Sequence, residues 1–208
     1  MGLTNPSQGR QALRLLAVLG LCLLAGVLAF LYMSRPSAVP APDTTPTIDV
    51  DQAKAKANLG DAEAQRQLGL AYSRGKGVKQ SYAEAAKWYR MSADQDNAAA
   101  QAALGELYEA GQGVPRDEAE AARWYRRAAE QGSINGQYAL ATLYVLGKGV
   151  PRDVPEAVNW YRRAAEQGNA LAQYNLGMRY RDADGGPQDL VEAYKWLGRR
   201  GVVPASWR

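Results

Sequence analysis

The chain has 208 residues, 47% of them hydrophobic and 22% charged, the balance of a folding chain rather than a disordered or low-complexity one. It has no histidine and a single cysteine, which excludes imidazole chemistry and any internal disulfide. The formal charge of +4 comes from 25 basic against 21 acidic residues, and Arg10, Arg14 and Arg35 lie in a segment without an acid before Asp43. The basic excess is thus a signal of membrane topology rather than a nucleic-acid footprint, and no nucleic-acid partner is expected.

In chain order, Leu15 to Met33 is a run of 19 residues without a charge. As a helix rising about 1.5 Å per residue it spans roughly 28 Å, close to a bilayer's hydrocarbon core, and is predicted to be transmembrane. The competing reading is a cleavable signal peptide, whose apolar core is about 7 to 15 residues and ends in a small-x-small site. Here the one candidate, Ala41, is followed directly by Pro42, and Leu21 stands where a lipobox ending at Cys22 needs a small residue. Arg10 and Arg14 before the span against Arg35 after it predict a cytoplasmic N-terminus (1–14) and a repeat domain outside, as in a single-pass bacterial inner-membrane protein facing the periplasm. Residues 34–48, with Pro36, Pro40, Pro42 and Pro46, read as a stiff spacer. Residues 49–60 contain a short alanine-rich helical stretch, Gln52 to Asn58, suited to capping the helices C-terminal to it.

Beyond Leu59 the sequence repeats every 36 residues: Trp88, Trp124, Trp160, Trp196; Gln65, Gln101, Gln137, Gln173; Tyr72, Tyr108, Tyr144, Tyr180. Four such units (61–96, 97–132, 133–168 and a divergent 169–201, then a 202–208 tail) define a solenoid. Leu68 and Tyr72 follow Ala64 at helical spacing, and Ala85, Tyr89 and Ala93 do the same further on, so each unit is two helices. Asp61, Asn97, Ser133 and Asn169 are placed to cap the first helix. Ser81 with Glu84, Asp117 with Glu120, Asp153 with Glu156 and Asp189 with Glu192 have capping-box spacing before the second. Gly75, Gly111 and Gly147 are predicted to end the first helix at positive φ, and the two helices to pack antiparallel. Ala183 replaces that glycine in the fourth unit.

Units such as Ala98 to Val114 (AAAQAALGELYEAGQGV) and Ala121 to Gly132 (AARWYRRAAEQG) closely resemble the Sel1-like repeat family, relatives of tetratricopeptide repeats. The resemblance implies an all-α, right-handed α-solenoid serving as a protein-binding adaptor, often in bacterial envelopes. In such folds the first helices line the concave groove. Transferred through Leu68, Gly69 and Tyr72, the tetratricopeptide groove pattern marks Arg66, Glu106, Asn135, Tyr138, Val145, Leu171, Tyr174 and Met178 as partner-binding, with Ala102, Glu109, Thr142 and Leu146 among their neighbours. The expected partner is a protein or peptide of the cell envelope.

The tryptophans and repeated tyrosines are expected in the core, and the four glutamines to tie one helix to a neighbour. Arg90, Arg126, Arg127, Arg162, Arg163, Arg199 and Arg200 near the ends of second helices favour the helix dipole and read as a solvated face. No catalytic residue, cofactor or metal ligand is expected. The rival to a non-enzymatic scaffold is a protein binding cell-wall glycan or peptide with carboxylate-based hydrolase activity. Its candidates would be Glu106 and Glu109, because the four capping-box glutamates are accounted for as caps.

Overall fold

The computed structural model describes residues 49–198. The expected transmembrane helix at Leu15 to Met33, the spacer, Arg199, Arg200 and the tail lie outside the described residues, among which no helix is long and apolar enough to cross a membrane.

The described residues form an all-α solenoid of nine helices without a strand. A short α1 (Val50–Asn58) precedes four helix pairs: α2 (Ala62–Arg74) with α3 (Tyr82–Ala93), α4 (Ala98–Ala110) with α5 (Glu118–Glu130), α6 (Ile134–Leu146) with α7 (Val154–Glu166), and α8 (Ala170–Asp182) with α9 (Leu190–Gly198). Each helix packs chiefly on its neighbours in sequence, as in a quasi-one-dimensional array.

First helices start at the predicted caps. The side chains of Asp61, Asn97, Ser133 and Asn169 accept from the amides of Ala64, Ala100, Gly136 and Ala172 at 2.7 to 3.3 Å. They end in left-handed residues, Gly75, Gly111, Gly147 and Ala183, with φ between 58° and 69°. The second loop glycine has a separate reason: a Cβ on Gly113 would collide with the Tyr82 carbonyl, and one on Gly149 with that of Glu118. The loop of each of these units therefore rests on the start of the preceding unit's second helix.

Only half of the expected capping box forms. Asp117, Asp153 and Asp189 accept from the amides of Glu120, Glu156 and Glu192 at 2.9 to 3.0 Å, and Ser81 from Glu84 at 3.3 Å. The reciprocal bond has no donor left, because each cap residue's own amide already donates, at 3.0 Å, to the carbonyl of Tyr72, Tyr108, Tyr144 or Tyr180. The glutamates therefore turn outward: Glu84 lies near Lys87, Glu120 pairs with Arg123, and Glu192 accepts from Lys195 and Trp196.

The core runs between the layers. Leu68, Leu104, Leu140 and Leu176 of first helices and Ala85, Ala121, Ala157 and Ala193 of second helices are fully buried. Close approach depends on a small residue in mid-helix, since a Cβ on Gly105 would lie 2.8 Å from the Tyr125 ring. Helix α1 meets α2 in the way that a second helix meets the following unit. Its Ala57 carbonyl accepts from Gln65 Nε2 at 3.1 Å, as Ala93, Ala129 and Ala165 accept from Gln101, Gln137 and Gln173.

Candidate binding groove

Two fasteners hold the units in register. Gln65, Gln101 and Gln137 are buried; besides donating to the preceding helix, their Oε1 atoms accept from Gln95, Gln131 and Gln167 at 2.7 to 2.8 Å. That ladder matches the tying role expected of them. The arginines are exposed, with Arg90, Arg127 and Arg163 in the last turns of their helices, and they add contacts to the aromatic residues. Arg126 donates to the hydroxyl of Tyr144 in the next unit at 2.6 Å, and Arg90 and Arg162 do the same to Tyr108 and Tyr180. Each lies over its tyrosine ring at 5.5 to 5.9 Å, while Arg127 and Arg163 stack on Trp124 and Trp160 at 4.8 and 4.5 Å. Aromatic faces and phenol oxygens are partners that these exposed cations hold beside water.

Along the array α2 touches α4 and α4 touches α6, whereas no pair of second helices approaches to a comparable extent. The side on which neighbours crowd is the inside of the curve, so the first helices line the concave face. All eight groove residues lie on these helices, and all are exposed or half-buried. Ala102, read as one of their neighbours, is instead buried.

At the N-terminal end the charges are self-satisfied. Arg66 grips Glu63 through Nε and a terminal nitrogen at 2.8 and 2.5 Å, and Gln67 and Asn97 donate to the same carboxylate. Arg66 foremost holds the Glu63 carboxyl below its ordinary range. Glu106 on α4 has no ion pair or side-chain hydrogen bond among the described residues. Its carboxyl is reached by water but crowded by the concave wall, so desolvation first and the Glu109 charge second push its pKa up. Glu109 is occupied, accepting the Tyr125 hydroxyl at 2.8 Å.

The other half is apolar. On α6, Asn135 is exposed and Val145 half-buried, while the half-buried Tyr138 ring packs on Tyr161 at 5.7 Å. The Tyr161 hydroxyl in turn lies 3.0 Å from Thr142 Oγ1. On α8, Leu171 is 55% and Tyr174 38% exposed, with Met178 half-buried beside them. Tyr138 is committed to packing to a degree that Tyr174 is not. Among the described residues no group of three or more Asp, Glu, Cys or His side chains could hold a metal.

An α-solenoid of 36-residue helix pairs, with its first helices inside, is the architecture of repeat scaffolds. The Sel1 repeat matches this chain four times, over residues 62–97, 98–133, 134–169 and 170–199, and the chain belongs to that family. Proteins built of Sel1 repeats are in general protein–protein interaction scaffolds. Among solved structures, a Sel1 repeat protein from Oxalobacter formigenes is 36% identical with a TM-score of 0.68, the match covering 74% of this chain and 62% of that one. The c5321 protective antigen of uropathogenic Escherichia coli, which displays an SLR fold, is 33% identical with a TM-score of 0.64, covering 74% of this chain and 41% of its own. A sel1 repeat protein from Klebsiella pneumoniae is 27% identical with a TM-score of 0.54, covering 76% of each chain. This chain therefore spans less than two thirds of the first two relatives. Comparison with functionally curated proteins gives no match.

Proposed function

We propose that this protein is a membrane-anchored scaffold of the bacterial envelope whose concave groove binds an extended segment of another protein. The carrying observation is the apolar half of the groove: Leu171 and Tyr174 are exposed at positions lining the inner face of a family of interaction scaffolds. Large rigid side chains supply contact area at low entropic cost and dominate interface energetics. The unpaired Glu106 adds a register mark for a basic group on the partner. Membrane attachment rests on the uncharged 19-residue run from Leu15 to Met33 and the arginines before it.

A reporter active only outside the cytoplasm, fused after Arg208, is expected to be active and membrane-bound. A soluble product shortened to about Pro42 would refute the anchor. Partners captured from solubilised envelope by the intact chain are expected to bind Tyr174→Ala more weakly by about 1–3 kcal/mol, with helical content unchanged. Tyr174→Ala unfolding the domain as badly as Tyr144→Ala would place Tyr174 in the core and remove the groove assignment.

A further inference from the structure

Charge is unevenly distributed along the concave face. Arg66 grips Glu63 on α2, and Arg181 holds Asp182 on α8 through Nε at 2.6 Å and a terminal nitrogen at 2.9 Å, so both ends of the groove carry ion pairs closed within one helix. Between them, α4 and α6 contain no basic residue. Glu106 and Glu109 stand three residues apart on α4, a spacing at which like charges repel, and neither is in an ion pair among the described residues. Arg74, in the last turn of α2, also stands outside the closed pairs but makes no ion pair with either glutamate. The middle of the groove is therefore acidic over the second unit and uncharged over the third.

The repeat sets the distance from this acidic point to the apolar end. Glu106, Thr142 and Met178 occupy the same position in successive units, and so form one row across α4, α6 and α8. Thr142 Oγ1 is engaged, donating to the Tyr138 carbonyl at 3.0 Å and lying 3.0 Å from the Tyr161 hydroxyl. Met178 lies one helical turn from the exposed Tyr174. Packed helices are about 8–10 Å apart, so the two steps from Glu106 to Met178 cover roughly 16–20 Å, the length of about five or six residues of extended chain. Six is the spacing that also turns both side chains of an extended segment to the same face, because its side chains alternate.

Resting on the reading of the concave face as the binding site, we propose that the segment it receives is basic at one point: an extended chain with a lysine or arginine over Glu106 and an aliphatic or aromatic residue about six positions away on Tyr174 and Met178. An acidic segment would meet Glu106 and Glu109 as like charges. A purely apolar one would cover both carboxylates without giving them a partner, which costs more than leaving them in water.

The test selects random dodecapeptides displayed on phage against the full-length chain in nanodiscs and, in parallel, against Glu106→Gln and Tyr174→Ala, both checked for native helical content. Peptides from the native chain are expected to pair a basic residue with an apolar one about six positions away. Selection on Glu106→Gln is expected to lose the basic preference and keep the apolar one. A selected peptide, synthesised and titrated by fluorescence anisotropy, should bind Glu106→Gln about threefold more weakly, the effect of a solvent-reached ion pair, and its norleucine analogue should bind both proteins alike. A basic preference unchanged in Glu106→Gln, an apolar preference without a basic one, or selection of acidic peptides overturns this inference and leaves the groove reading standing. Peptides bound equally well by Tyr174→Ala, or the absence of any peptide that binds saturably, overturn the groove reading and this inference with it.

Discussion

At three of the four turns that close a first helix the left-handed residue is glycine; at the fourth it is Ala183, with φ 58°. A Cβ in that region costs roughly 1–2 kcal/mol, part of which is offset by the smaller entropy alanine loses on folding. Ala183→Gly is therefore expected to stabilise the domain by about 0.5–1 kcal/mol, seen as a raised melting temperature; a lowered one would mean that the alanine makes a contact worth more than its strain. Glu106 is a second residue at odds with its surroundings. Its pKa is raised in the folded state by desolvation first and Glu109 second, so its contribution is favourable below the ordinary glutamate pKa and is lost as pH rises through the folded value. Glu106→Gln should accordingly stabilise at pH 7, and the gain should fade toward pH 4 in parallel melts; a gain independent of pH would assign the effect to packing instead. Ala183 is visible in the sequence as a departure from the repeat, and Glu106 as a residue at a position that varies from unit to unit. Ala183 carries its meaning locally, whereas the isolation of Glu106 emerges only once Glu109 is seen bonded to Tyr125 on another helix.

Helix starts are legible in the sequence because a cap and the amide it serves lie three residues apart. The reciprocal half of the capping box is not, because its donor is taken by a tyrosine carbonyl nine residues back, which cap spacing alone does not reveal. The arginine–tyrosine bonds are hidden for a similar reason: both positions recur every 36 residues, but periodicity does not say that residues 18 apart meet. The buried glutamines can be read correctly because a polar side chain at a fixed core register must find partners. Gln101 is the fullest case, donating to the Ala93 carbonyl at 3.1 Å and accepting from Gln131 at 2.7 Å, so one amide joins α3, α4 and the end of α5. Gln101→Leu keeps the volume but removes one of the two bonds made by the Ala93 carbonyl and by Gln131 Nε2, and is expected to cost about 1 kcal/mol. In urea this should lower the midpoint with no change in slope. An unchanged midpoint would show that water or a neighbouring side chain takes the amide's place.

In a solenoid, stability is a sum of unit and nearest-neighbour terms, so the ends decide where opening begins. The two ends differ here. At the N-terminal end α1 buries Ala53 and Ala57 against Ala64 and Leu68 and supplies the carbonyl that Gln65 needs. At the other end α9 presents Val191 and Tyr194 at 79% and 48% exposure, although the residue matching Tyr194 in each earlier unit, Ala86, Ala122 or Val158, is buried. The last helix thus shows a face that every earlier second helix covers with the next unit. Hydrogen exchange under native conditions is expected to be fastest in α9 and then α8, slower in α2 and α3, and slowest from α4 to α7, because opening spreads inward from the face with least apolar cover. Amides of α9 exchanging as slowly as those of α3 would mean that something in the intact chain covers Val191 and Tyr194. Uniform exchange along the array would mean that coupling between neighbours is strong enough for all four units to open as one.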